Sequence, residues 1–122
     1  MTNEVYQKLH ELYMMLYDLN FLSALVRLFL AMLLGGILGY GREKKHLPAG
    51  FRTYMVVCLG SALSMMVGIY VTDITGAADA SRIGAQVVSG ISFLGAGTIL
   101  VTRQNQVKGL TTAAGLWAVA GI

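Results

Sequence analysis

The sequence predicts an all-α membrane protein: an amphipathic N-terminal helix, three full transmembrane helices and the start of a fourth. Three observations predict it. The 122 residues are 56% hydrophobic and only 12% charged, with a mean hydropathy of +0.65. An average soluble domain carries roughly 25% charged residues, so neither disorder nor an ordinary soluble globule fits. Three apolar runs each reach about 20 residues, the length that crosses a hydrocarbon core. The positive residues between them gather in two short loops, so the net charge of +3 reads as membrane topology and not as a nucleic-acid signal.

Residues 1–20 read as an interfacial helix. Val5, Leu9, Leu12, Tyr13, Leu16 and Tyr17 recur at helical spacing, while Asn3, Glu4, Gln7, Lys8, Glu11 and Asp18 occupy the other side. Such a helix is too polar to span. It lies in the membrane interface, where Tyr6, Tyr13 and Tyr17 suit the headgroup level, or it packs against a neighbouring subunit. Glu4, Glu11 and Asp18 do not resemble a secretory leader, so the first span is expected to act as an uncleaved insertion signal.

Residues 21–122 read as one transmembrane domain. Asn20 is a natural N-cap, and the first span is expected over Phe21 to Gly41, about 30 Å of helix. It carries a GxxxG at Gly35 and Gly39, and Arg27 about two turns in, where an arginine either snorkels to the interface or pairs with another helix. The loop over residues 42–52 sets Arg42, Lys44, Lys45 and Arg52 against Glu43, with Pro48 supplying the turn. Its charge is explained by a cytoplasmic position, and a lipid-headgroup site is the alternative. The second span, Thr53 to Thr72, repeats small residues at Gly60, Ser64 and Gly68.

The third span, Ala80 to Val101, follows the acidic stretch over residues 73–81, which fits the outer face. Asp79 can cap it and pair with Arg82. Arg82, Gln86, Ser89 and Phe93 fall on one helical face, and Gly84, Gly90, Gly95 and Gly97 allow close helix contact. We expect this to be the interior helix of the bundle, with Gln86 pointing inward either as the functional polar group or as interhelical glue. The polar turn with Arg103 and Lys108 returns to the inner face, and the apolar run from Gly109 is too short to cross, so the chain is expected to stop inside a fourth helix. This topology leaves the N-terminus outside the cytoplasm. Glycine-rich faces at Gly35 and Gly39 and at Gly60, Ser64 and Gly68 exceed what one short bundle needs, which predicts a homo-oligomer, most simply a dimer.

No catalytic constellation can be assembled. Ser61, Ser64, Ser89 and Ser92 have no His at membrane depth, and His10 and His46 sit in the interfacial helix and the first loop. Cys58 stands alone, so neither metal nor cofactor is expected, and we expect no enzyme. What remains are polar groups near the membrane, including Thr111 and Thr112. The second reading is a small ion or solute carrier with its path along Arg82, Gln86 and Ser89, although no acidic residue lies deep in a span.

Four blocks occur in order: GxxxGxxRE (Gly35 to Glu43), PAGxRTxxxVCLG (Pro48 to Gly60), RIxAQVVSGIxFLGAG (Arg82 to Gly97) and KGLTTAAGLW (Lys108 to Trp117). Together they resemble the hydrophobic domain of the MgtC/SapB family. The resemblance implies a bacterial inner-membrane protein that adapts cells to low magnesium and to virulence. It implies action through membrane protein partners such as ATP synthase and on membrane energetics; many members carry a soluble C-terminal domain after the hydrophobic one, and none is expected within these residues. By position it carries over Glu43, Arg52, Cys58, Asp79, Arg82, Gln86, Gly90, Gly95, Gly97, Thr111 and Thr112 as site candidates.

Overall fold

A computed structural model describes residues 2–76, 79–101 and 106–122. Arg103 and residues 77–78 of the expected outer loop lie outside them. Among the described residues there are five helices: α1 (Thr2–Tyr17), α2 (Phe21–Glu43), α3 (Phe51–Thr75), α4 (Ala80–Thr98) and α5 (Leu110–Ala120). The element types follow the expected order, with α2 and α3 each running a few residues beyond the predicted ends. Between α4 and α5 the chain forms a small antiparallel ladder, β1 (Leu100–Val101) with β2 (Val107–Lys108), where the sequence suggested only a polar turn. Two-residue strands carry no periodic signal to read.

The helix ends are set by local chemistry. At the start of α2 the Asn20 N–H donates to Ser23 Oγ at 3.0 Å, and the Ser23 hydroxyl donates to the Asp18 carbonyl at 2.6 Å. This fixes the corner between α1 and α2. Helix α3 ends at Gly76, whose φ of 63° places it in the left-handed region that favours glycine, with its N–H on Thr72 O at 2.9 Å. Asp79 caps α4 by accepting the Ser81 N–H at 2.9 Å. Gly109 opens α5 at φ 96°, and a Cβ there would collide with the Thr98 carbonyl.

The centre of the bundle is α3, against which α2, α4 and α5 all pack. This corrects the expectation that α4 would be the interior helix. The buried core joins Ala31, Tyr54, Cys58, Ile91, Leu116 and Val119. Helix α1 packs mainly against α2, and the apolar side chains of Val5, Leu9 and Leu12 are each more than half exposed.

Two helices, α2 and α3, are long and apolar enough to cross a membrane, with mean hydropathies of 2.2 and 1.9. Their outward surfaces carry Phe29, Leu33, Ile37, Val56, Leu63 and Val67, all exposed. A contiguous surface of that kind would aggregate in water, and its natural cover is lipid. Helix α4 has 19 residues, but Arg82, Gln86 and its serines lower its apolar content, and it falls outside that class.

Candidate functional site

The polar residues singled out in the sequence fall into three places. The first is the junction of α1 and α2. Arg27, half-buried, donates through Nη2 to the carbonyls of Leu16 and Tyr17 at 2.7 and 3.1 Å. These are carbonyls of the last turn of α1, which have no partner within the helix and carry the negative end of its dipole. Of the two expectations for Arg27, pairing with another helix is what the structure contains. The arginine tethers α1 to α2.

The second place is the end of α2 nearest the basic loop. Gly35 and Gly39 let α3 approach so closely that a Cβ at Gly35 would lie 2.8 Å from the Tyr54 carbonyl, and one at Gly39 would lie 2.7 Å from Phe51 Cα. Both glycines are therefore consumed inside the chain, which corrects their assignment to a surplus oligomer face. The close approach brings Arg42 over the Tyr54 ring, 5.4 Å from its centroid. Arg42 also donates from Nε to the Ala49 carbonyl at 3.2 Å and from Nη2 to Thr112 Oγ1 on α5. Thr112 is buried and Thr111 exposed, so only one of the two threonines joins this cluster.

Tyr54 is 2% exposed and its hydroxyl has no hydrogen-bond partner among the described residues. It lies against Gly115, where a Cβ would overlap Tyr54 Oη. One turn on, Cys58 Sγ donates to the Val119 carbonyl at 3.3 Å. Glu43 Oε2 accepts the Phe51 N–H at 3.1 Å and so caps α3, while Arg52 projects outward without a partner among the described residues. Sequence reasoning treated Arg42 as a topology charge and passed over Tyr54. Their signal lay in the RE and RTY steps of the first two blocks, but the contact with α5 is 70 residues distant and nothing local announces it.

The third place is α4. Arg82, Gln86, Ser89 and Phe93 do share a face, but it is the exposed face, and Phe93 is 83% exposed. The inward face is built from Ile83, Val87, Ile91 and Gly95: Ile83 packs on Gly68 of α3, and Gly95 meets Ala113 of α5. The expectation that Gln86 points into the bundle is corrected accordingly. The expected pair between Asp79 and Arg82 does not form. Asp79 is turned to the free N–H groups of its own helix, where hydrogen bonds from the Ser81 hydroxyl and backbone N–H hold its carboxyl below the ordinary value.

Of the remaining small residues, Gly68 and Gly95 serve packing within the chain. Among the described residues, no neighbouring atom lies within 4 Å of where a Cβ on Gly60, Gly90 or Gly97 would stand. Ser64, half-buried, bonds back to the Gly60 carbonyl at 2.8 Å. Among the described residues, no three His, Cys, Asp or Glu side chains converge as metal ligands.

Comparison with known proteins accords with the sequence blocks. The sequence profile of the MgtC family matches residues 28–122. YhiD of Escherichia coli (strain K12), named as a candidate magnesium transporter, is 46% identical over 103 residues, covering 80% of this chain and 47% of that protein. Protein MgtC of Salmonella typhimurium (strain 14028s) is 43% identical over 99 residues, 80% of this chain and 40% of that protein. Protein MgtC of Brucella abortus (strain 2308) is 42% identical over 92 residues, 75% of this chain and 37% of that protein. The chain thus spans less than half the length of these relatives. No solved structure matches it. The profile covers most of the chain, including every residue of the Arg42 cluster and the whole of α4, and the chain belongs to the MgtC family.

Proposed function

We propose that this is a multi-span bacterial inner-membrane protein, with α4 crossing the bilayer beside α2 and α3. It acts in adaptation to low magnesium and in virulence through membrane protein partners, of which ATP synthase is one that the family resemblance brings forward. The basic loop between α2 and α3 and the turn before α5 face the cytoplasm, and α1 lies on the opposite side. Family membership and the names of the relatives support the physiological setting.

One observation carries the mode of action: the polar face of α4 points away from the chain's own helices. An amide left in hydrocarbon costs several kcal/mol, roughly 2–7, so Gln86 calls for a polar partner from another polypeptide. The open glycines Gly60, Gly90 and Gly97 give room for such a helix to come close. A second copy of the chain, forming a dimer, or a partner protein meets this face.

A small ion or solute carrier is the second reading, favoured by the name of the Escherichia coli relative and by the stripe of Arg82, Gln86 and Ser89. Under it, the path would run between chains, since the stripe is outside each one. Gln86→Leu separates these readings from a structural role. Expressed at wild-type level in the full-length protein of a deletion strain, it is expected to keep stability and lose growth at low magnesium. Normal growth would make the face structural. Ion flux in liposomes that Gln86→Leu abolishes would select the carrier.

A further inference from the structure

Helices α2 and α3 meet along the glycines of α2, and beside that seam the surface is grooved. The apolar part of the groove, about 460 Å³, is lined by Phe29, Leu33, Gly36 and Ile37 of α2 and by Phe51 and Met55 of α3. It is almost wholly apolar. Tyr40 and Phe51 carry the wall into a second recess that also takes in Glu43 and Lys44. Glu43 and Phe51 in turn border a third, polar depression holding His46 and Arg52. The three recesses share walls and run in file from an apolar cleft at membrane depth to a charged mouth at the loop.

The mouth has cations to spare. Lys44 Nζ lies 4.8 Å from the Tyr40 ring centroid, at the lip of the groove. The side chains of Lys45 and Arg52 are exposed and bond to no described residue. Glu43, the carboxylate among them, is already engaged by the Phe51 N–H. His46 stands at the turn with φ 51°, a left-handed conformation that histidine enters more readily than most residues, and it borders the same depression. The apolar part runs along α2 from Phe29 to Tyr40, about 17 Å of helix, against about 15 Å for half a hydrocarbon core.

We infer that this groove is a binding site for an anionic phospholipid of the leaflet facing the basic loop. One acyl chain lies between α2 and α3, and the phosphate is held by Lys44 and Arg52, with His46 as a further donor. A partner helix would fill the apolar cleft but leave these cations unmatched, whereas an anionic lipid satisfies both ends at once. The inference rests on the membrane placement proposed above, and the test keeps the two apart. Protein that does not partition into membranes refutes the placement; protein extracted from membranes that shows no lipid preference refutes the site.

The experiment is native mass spectrometry of the full chain in mild detergent, titrated with phosphatidylglycerol and with phosphatidylcholine of the same acyl chains. Phosphatidylglycerol is expected to be retained at least tenfold more strongly. Lys44→Gln with Arg52→Gln should lower its retention about thirtyfold, each cation near a membrane surface contributing about fivefold. Leu33→Trp should fill the cleft and lower retention with every charge in place. Ile37→Trp, at a position 69% exposed, should do the same. Equal retention of phosphatidylcholine overturns the proposal. So does wild-type retention by both tryptophan variants, which would leave only loop electrostatics, or displacement of the lipid by equimolar inorganic phosphate, which would make the site a phosphate site.

Discussion

Replacing Gly115 by Ala sets a methyl group against the most enclosed side chain of the bundle. The new Cβ would overlap Tyr54 Oη and come within 3.2 Å of Cζ. Tyr54 cannot swing aside. Its backbone is pinned by Gly35 and Gly39, its ring lies under Arg42, and it is 2% exposed. Overpacking of this kind costs about 1–3 kcal/mol, partly offset by about 1 kcal/mol from the better helix propensity of Ala. The Tyr54 hydroxyl is also buried without a hydrogen-bond partner among the described residues, so Tyr54→Phe removes a desolvated group and should be neutral to about 1 kcal/mol stabilising. In the double variant the overlap with Oη disappears and only the 3.2 Å approach to Cζ remains, so most of the loss should return. The expected coupling is at least about 1 kcal/mol, measured as a double-mutant cycle by reversible unfolding in mixed detergent micelles and followed by circular dichroism. Strictly additive effects would show that Tyr54 Oη does not lie against Gly115, and the placement of α5 on α3 would fall with it.

Gly39→Ala forces backbone apart at the α2–α3 seam, whereas Gly60→Ala meets open space. The first should be about 1–3 kcal/mol less stable than the second in the same unfolding assay, and equal stability would contradict the seam. Arg27→Gln should release α1. Hydrogen exchange of residues 2–17 is expected to lose protection while α2 to α5 keep theirs, and unchanged protection of α1 would mean that another contact holds it. Asp79 is bound more tightly as a carboxylate than in the unfolded chain. Its stabilisation is therefore complete above its ordinary value of 3.8 and is lost as pH falls through the lower folded value. Asp79→Ala should flatten the acid limb of the thermal stability profile, and a limb identical to wild type would exclude the capping role.

Much of this architecture was legible because its causes are local. Apolar run length gave α2 and α3, and the caps at Asn20 and Asp79 stood at the expected steps. The face of α4 was legible as a face but not in direction. Helical spacing says that Arg82, Gln86 and Ser89 lie together, while polarity points inward only if the polar partner belongs to the same chain. The glycines of α2 announced close packing without naming the neighbour, which proved to be α3. The Arg42–Tyr54–Thr112 cluster was not legible at all, since it joins three helices through side chains far apart in sequence and a charge in a basic loop already had a sufficient explanation in topology.

The reach from Arg42 to Thr112 also has a consequence in time. The α2–α3 hairpin is complete when Thr75 has been made, yet its arginine needs a threonine 70 residues after it. At about 5–20 residues per second of synthesis, the finished hairpin waits roughly 2–7 s while the 37 residues from Thr75 to Thr112 are made. Throughout that interval Gly115 has not arrived to roof Tyr54. The newborn hairpin therefore has an unfinished side, open to insertion machinery or to a neighbouring nascent chain, and the arrival of α5 closes it.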